Sequence, residues 1–135
     1  MIEKFDVHIS DEEIDSLHSK IQLTRWPDEI NDEKWSHGTS MSFLKNLSDH
    51  WLNEFNWRDH EKQINEAGSY KFKTQSGLKL HFLHSKSNNN NAIPLMMTHG
   101  WPGSVQEFLK IIPELHKESN VPIDIICPSL PGFGF

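Results

Sequence analysis

The chain has 135 residues, about the length of one domain, and its eight Phe, five Trp and one Tyr are enough to build a core. A formal net charge of −6, with 13 basic against 19 acidic residues, argues against a nucleic-acid binder, and no apolar run approaches the ~20 residues of a membrane span. The single cysteine, Cys127, excludes an internal disulfide and a cysteine-based zinc site, and the N-terminus has no signal-peptide pattern, so we expect a cytoplasmic protein.

The first half of the chain, residues 1–68, has helical periodicity. A capping box of Ser10 and Glu13 predicts the start of a first helix, which Trp26-Pro27 ends. Its apolar face consists of Ile14, Leu17 and Ile21. After a loop through Trp35 and Gly38, a second helix carries an apolar stripe of Leu44, Leu47, Trp51 and Phe55. A short polar helix over about residues 59–66 then ends at Gly68.

The second half, residues 69–135, begins with alternating patterns typical of strands. Apolar and polar residues alternate over residues 70–74 and again over residues 78–82, with a turn at Ser76-Gly77 between them. We therefore predict a hairpin with Leu78, Leu80 and Phe82 on the buried face and Lys79 and His81 on the other. The continuous apolar run 93–97 is typical of a parallel strand buried on both faces.

A helix and a second parallel strand are predicted next. Ser104 and Glu107 form another capping box, and Pro113 should bend the helix that they open. Its inward residues are Val105, Phe108, Leu109 and Ile112. The strand 123–127 leads into a loop of Pro and Gly residues over 128–135, with no helix to cover it. Since parallel sheets need helices on both faces, we expect an α/β fold that is the first part of a larger protein.

The segment His99-Gly100-Trp101-Pro102-Gly103-Ser104 is the strongest candidate for chemistry. It joins a predicted strand to a capped helix, at the carboxyl end of the strand, where ligand sites of α/β sheets lie. Two glycines let the backbone turn sharply, and N–H groups near a helix N-terminus can bind a developing anion. The alternative is an ordinary strand-to-helix turn whose Trp fills a gap.

Other candidate sites are weaker. Ser104 is not in a G-x-S-x-G frame, so we interpret it as a helix N-cap rather than a nucleophile. His81 and His84 point to opposite faces of their strand, and the sequence has no H-E-x-x-H, so we expect no metal. Gly132 and Gly134 lack the third glycine and the helix of a dinucleotide-binding turn, and we expect no cofactor.

The chain resembles the α/β-hydrolase epoxide hydrolases of the microsomal and juvenile-hormone type over nearly its whole length. The second half carries the resemblance in five segments, which are Gly77-Leu78, His81-Phe82, His99–Ser104, Glu107-Phe108 and Pro128–Phe135. The first half carries it in Arg25-Trp26-Pro27, Trp35-x-x-Gly38, Trp51-x-x-x-Phe55-x-Trp57-Arg58, and Glu61 with Asn65. Two departures are His50, where a Tyr often stands, and Asn56, where an Asp is usual. H-G-x-P alone is widespread among α/β hydrolases, but its combination with the aromatic first half is specific.

The resemblance implies an epoxide hydrolase that makes vicinal diols through an aspartyl ester, with a role in detoxification. Its substrate would be a small-molecule epoxide. The nucleophilic Asp, the His base and the lid tyrosines would lie beyond Phe135, in the rest of the core, which this chain would need as its partner. The Trp101 N–H would be an oxyanion-hole donor, and Trp101 and Pro102 would border the substrate. His99, Gly100 and Gly103 would shape the turn, with a cis Trp101–Pro102 bond.

The resemblance also implies the sheet order 1-2-4-3-5, in which the hairpin supplies strands 1 and 2, residues 93–98 strand 3 and residues 123–127 strand 4. Stopping before strand 5 would leave strand 3 as a bare apolar edge. Two alternatives stay open. One is another α/β hydrolase, such as a haloalkane dehalogenase, which shares H-G-x-P. The other is a non-catalytic remnant or interaction domain.

Overall fold

The computed structural model describes residues 1–29 and 35–135. They form two compact units, one of Met1–His8 with Arg58–Phe135 and one of Ile9–Trp57. This division by compactness differs from the sequence boundary expected at residue 68, because the first eight residues and most of the third helix group with the sheet. The domain boundary at residue 68 stays a prediction.

The unit Ile9–Trp57 contains the two predicted amphipathic helices. Helix α1 (Asp11–Gln22) begins at the predicted capping box, in which the Ser10 Oγ accepts from the Glu13 N–H and the Glu13 carboxylate accepts from the Ser10 N–H. Helix α2 (Met41–Asn53) has Ser40 as its N-cap. Helix α2 ends at Asn53, so Phe55, which the sequence predicts on the apolar stripe of this helix, lies beyond its end.

The other unit is built on a mixed five-stranded sheet within the described residues. Its strands are β1 (Ile2–Lys4), β2 (Ser69–Lys73), β3 (Lys79–Ser85), β4 (Ile93–Met96) and β5 (Ile123–Pro128). The spatial order is β1-β2-β3-β5-β4, and only the β4–β5 pair is parallel. The predicted hairpin is β2–β3, and the predicted order of the last four strands is confirmed.

Strand β1 was not predicted, because the first residues were assigned to a helical region. It pairs antiparallel with β2, and the chain after it is held by helix α3 (Trp57–Glu66). The Asn65 side chain accepts from the Val7 N–H at 2.8 Å and donates to the Val7 carbonyl at 2.9 Å. A three-residue strand has too short a pattern to be recognised by alternation alone.

The burial predicted for β3 is wrong in one respect. His81 and Leu83 are fully buried and Phe82 is 9% exposed, whereas Leu78, which precedes β3, is 45% exposed. His81 and Leu83 are two positions apart and share one face of β3, and Leu83 is part of the core, so the face that meets the core is opposite to the predicted one. Alternation predicts two distinct faces but does not say which of them meets the core.

The helix predicted after Ser104 is two elements. A 3₁₀ helix (Val105–Phe108) begins at the predicted capping box, and helix α4 (Ile111–Glu118) follows. Pro113 lies in the first turn of α4 instead of bending one long helix. A first-turn N–H has no partner within its helix, so Pro is tolerated there.

The core of this unit joins the sheet to α3, α4 and the 3₁₀ helix. Its buried apolar residues are Val7, Ile64, Leu83, Val105, Ile112, Ile125 and Cys127. Each fully buried Leu or Ile contributes roughly 1.5–3 kcal/mol relative to an exposed one. Strand β4 packs against this core on one side only: Leu95 and the following Met97 are partly buried against it, whereas Ile93 is 54% and Met96 67% exposed, so the expected burial of residues 93–97 on both faces is wrong.

We predict that a polypeptide of these 135 residues self-associates through β4. Among the described residues β4 pairs only with β5, and an uncharged apolar edge attracts a further strand. Met96→Lys should lower the apparent mass in concentration-dependent light scattering. The matched control is Leu23→Lys, since Leu23 is 79% exposed and lies outside the sheet. A wild-type polypeptide that stays monomeric, binds no apolar dye and melts sharply would contradict the prediction.

Candidate functional site

The candidate site lies where β4 and β5 end. Parallel strands bring their carboxyl ends to the same edge of the sheet, so the turn 99–104 and the loop 129–135 are neighbours. Pairing continues one residue past β4, where the Met97 N–H donates to the Ile126 carbonyl at 3.0 Å. The predicted turn residues are therefore brought together with a loop from the next strand.

His99 connects the turn to the loop. Its Nε2 accepts from the Leu130 N–H at 3.1 Å, and its Nδ1 lies 3.0 Å from the Gly100 carbonyl oxygen. Since an N–H only donates and a carbonyl only accepts, these partners select the neutral ring with the proton on Nδ1. The Phe133 ring packs edge-on at 5.3 Å, and His99 is 3% exposed. His99 therefore contacts both the turn, through Gly100, and the loop, through Leu130 and Phe133.

The glycines and Ser104 set the turn. The Gly103 N–H donates to the Gly100 carbonyl at 2.8 Å, which closes the turn. A Cβ on Gly103 would collide with the Glu107 carboxylate, which accepts from the Ser104 N–H. The Ser104 Oγ accepts from the Gln106 N–H, so Ser104 is an N-cap, as predicted. At Gly100 a Cβ would meet open space among the described residues.

Trp101 and Pro102 occupy the exposed part of the turn. The bond between them is cis, as the resemblance implies. Trp101 is 84% exposed, and its backbone N–H donates no hydrogen bond among residues 1–29 and 35–135. Within the described residues the turn therefore has one backbone donor without a partner.

A second buried histidine, His81 on β3, lies beside the loop. Its Nδ1 is 2.8 Å from the Ser129 Oγ and its Nε2 is 3.0 Å from the Ser69 Oγ. The rings of Phe5 and Phe135 pack edge-on against it at 6.0 and 5.1 Å. His81 is 1% exposed, so it belongs to the interior of the sheet unit.

Burial, with a smaller contribution from the nearby Lys71 charge, lowers the pKa of His81 from 6.5 to about 4. The ammonium of Lys71 lies 3.6 Å from the centroid of the Phe5 ring, which itself contacts His81. Both serine partners are uncharged, so nothing in contact with the ring stabilises an imidazolium. At neutral pH His81 is an uncharged ring.

The single cysteine of the chain is not a reactive thiol. Cys127 is fully buried, and desolvation raises the pKa of its thiol to about 11, so it is not a thiolate nucleophile. In the described part of the chain, no group of three or more His, Cys, Asp or Glu residues could hold a metal ion. No helix there is long and apolar enough to cross a membrane.

The sheet order and the turn at the end of β4 define the opening part of an α/β-hydrolase core. The family described as the epoxide hydrolase N terminus matches residues 2–108. The chain belongs to this family.

The curated relatives that this chain matches include epoxide hydrolases from animals. Epoxide hydrolase 1 of Sus scrofa is 38% identical, and the match covers 99% of this chain and 32% of that protein. Juvenile hormone epoxide hydrolase 2 of Ctenocephalides felis is 36% identical, over 97% of this chain and 29% of that protein. The chain spans about a third of the length of the curated relatives it matches.

Solved structures give the same fold. The epoxide hydrolase of Aspergillus niger matches with a TM-score of 0.87 and 30% identity, over 100% of this chain and 36% of that one. The juvenile hormone epoxide hydrolase of Bombyx mori matches with a TM-score of 0.88 and 30% identity, over 100% and 37%. The described residues therefore have the α/β-hydrolase fold of the corresponding part of these enzymes.

Sequence reasoning missed the contribution of His81 and Ser129 to this edge. Both residues lie in segments that carry the resemblance, but His81 was assigned to the polar face of a hairpin and Ser129 was given no role in the site. One signal was available, since His81 lies two positions before the apolar Leu83 and so shares a strand face with it. A histidine on a buried face needs hydrogen-bond partners there, and Ser69 and Ser129 supply them.

We predict that His81 makes the protein less stable in acid. The unfolded chain binds the proton near the ordinary pKa of 6.5 and the folded chain only near 4, so unfolding takes up a proton between these values. The stabilisation is fully present above pH 6.5 and is lost as the pH falls to about 4, at most roughly 3 kcal/mol.

Urea unfolding at about pH 7, 5.5 and 4.5 measures this loss, in a Met96→Lys background that suppresses association. His81→Gln should flatten the difference between these pH values, while His8→Gln, at an exposed position, should leave it unchanged. Equal slopes in the parent and in His81→Gln would show that His81 does not carry the effect.

Proposed function

We propose that this chain is the N-terminal part of an epoxide hydrolase, which converts small-molecule epoxides to vicinal diols. The observation that carries the proposal is the turn His99–Ser104 at the carboxyl end of β4, in a chain of the epoxide hydrolase N-terminus family. The relatives with assigned names are epoxide hydrolases. The 135 residues contain no G-x-D-x-G or G-x-S-x-G, so the nucleophile belongs to another part of the protein.

The proposed reaction has two steps. An Asp carboxylate attacks an epoxide carbon and forms an ester, the C–O bond breaks, and lid tyrosines protonate the alkoxide. Water activated by a His then attacks the ester carbonyl, and collapse of the tetrahedral intermediate releases the diol and restores the carboxylate. All of these groups come from outside the 135 residues.

The contribution of this chain is to the second step. The tetrahedral intermediate carries a negative charge on oxygen, and the Trp101 N–H would donate to that oxygen, paired with an N–H next to the nucleophile. Its exposure and its lack of a partner among the described residues support this role. The Trp101 ring and Pro102 would border the substrate, and His99, Gly100 and Gly103 hold the turn.

We also propose a cytoplasmic location and a role in detoxification. A lone, buried and reduced Cys127 suits a reducing compartment. Cell fractionation tests the location, and a lower tolerance of an added epoxide in a deletion strain tests the role.

The proposed function is tested with the full-length protein that carries this chain. We expect diol formation from styrene oxide, with a covalent ester detectable by mass spectrometry after rapid quenching. The 135-residue polypeptide alone should show no diol above the buffer rate, because it has no nucleophile. Full-length protein with a G-x-S-x-G elbow, or one that releases halide instead of forming diol, would contradict the proposal.

Substitutions in the turn separate the two steps. Trp101→Phe in the full-length enzyme should keep most of the activity, because the proposed donor is a backbone group. Pro102→Ala should slow ester hydrolysis by up to about 10², since Pro102 restricts the backbone that aims the N–H, and should slow ester formation far less. Single-turnover kinetics measure both steps. Equal slowing of the two steps would count against an oxyanion role.

A further inference from the structure

Two histidines, His81 on β3 and His99 in the turn after β4, contact different parts of the loop after β5. The side-chain contacts run in nested order along the chain: Ser129 to His81, Leu130 to His99, Phe133 to His99, and Phe135 to His81. Each histidine ring thus has one hydrogen bond and one aromatic contact with the loop. The loop is attached at both ends to β3 and at its middle to the turn after β4.

The middle of the loop is a tight turn. The Phe133 N–H donates to the Leu130 carbonyl at 2.9 Å, with Pro131 and Gly132 between them. Gly132 has φ +87°, the left-handed conformation that a type II turn requires at this position. The turn sets Leu130 and Phe133 side by side, and both contact His99.

Ser129 makes two hydrogen bonds to His81. The Ser129 N–H donates to the His81 carbonyl at 2.9 Å, and the Ser129 hydroxyl bonds the His81 Nδ1 at 2.8 Å. Ser129 directly precedes Leu130, whose N–H donates to His99. A displacement of Ser129 therefore moves the donor on which the orientation of His99 depends.

Gly134 leaves the space that this attachment needs. A Cβ at Gly134 would lie 2.5 Å from the Ser129 Oγ and 3.3 Å from the His81 Nδ1. The loop thus crosses directly over the His81–Ser129 pair, and a side chain at this position would push the pair apart.

We propose that His81 is a positioning residue, which holds the loop Ser129–Phe135 against His99 through Ser129 and so fixes the turn that presents the Trp101 N–H. The effect on catalysis rests on the proposed function, whereas the placement of the loop does not. His81 itself touches no substrate. It acts through Ser129, then Leu130, then His99.

The first test measures the loop directly and needs no activity. Ser129→Ala and Ser69→Ala each remove one buried hydroxyl from the same ring, but only Ser129 belongs to the loop. In the 135-residue chain with Met96→Lys, the Leu130 amide should exchange about tenfold faster in Ser129→Ala, after correction for global stability. In Ser69→Ala it should exchange at the parental rate, within about twofold. Equal changes in the two variants would overturn the proposal.

A second pair of variants tests the His81–Ser129 contact by placing a side chain at Gly134, next to that contact. Gly134→Ala and Gly77→Ala both place a side chain at positive φ, but a Cβ on Gly77 meets open space among the described residues. Faster Leu130 exchange in Gly134→Ala alone is expected. Equal exchange in the two glycine variants would contradict the role of the His81–Ser129 pair, even where both variants are less stable.

The kinetic test uses the full-length enzyme. Ser129→Ala should lower the rate of ester hydrolysis about tenfold with KM and ester formation within about twofold of the parent, and Ser69→Ala should leave both steps unchanged. Loss of both steps in both variants would indicate a merely structural role and overturn the proposal. A parent that forms no diol would refute the proposed function alone, and the amide exchange would then decide the placement of the loop.

Discussion

The parallel pairing of β4 with β5 is the constraint on which the candidate site depends. It brings the turn after β4 and the loop after β5 to one edge, although about 25 residues separate them along the chain. Strand β5 also pairs antiparallel with β3, in the register that sets Phe82 opposite Pro128. That register puts His81 beside Ser129, so three strands contribute to one edge of the sheet.

The two buried histidines at this edge differ from a catalytic histidine in their partners. A catalytic base is oriented by an acidic group that stabilises its charged form, whereas His81 has two serine hydroxyls and His99 has a backbone N–H and a carbonyl. Such partners satisfy a neutral ring and offer no countercharge. In the described residues no buried side-chain nitrogen or oxygen lacks a hydrogen-bond partner. These partners fit the proposed positioning role of the rings and do not fit the base of the proposed reaction.

The order of the last four strands, both capping boxes and the position of the turn could be predicted from the sequence. Capping and turn signals are local, and the order followed from a specific resemblance. The burial of His81 and the exposure of Ile93 and Met96 on β4 could not, because burial depends on which face of each strand the rest of the fold covers. An alternating pattern assigned His81 to solvent, and the apolar run 93–97 was assigned to the interior. The break before helix α4 was missed because Pro113 is compatible with a first turn as well as with a bend.

The group proposed to contribute chemistry is a backbone N–H, which every residue except proline has, so the identity of Trp101 carries no information about it. The informative residues are those that support the turn. Gly103 makes room for the Glu107 carboxylate, which caps the 3₁₀ helix, and His99 ties the turn to the loop. Ser129 then ties the loop to β3 through His81. Under the proposed function, the motif in the sequence is thus the set of residues that hold one donor in place, and for this reason it can be recognised in 135 residues that contain no nucleophile motif.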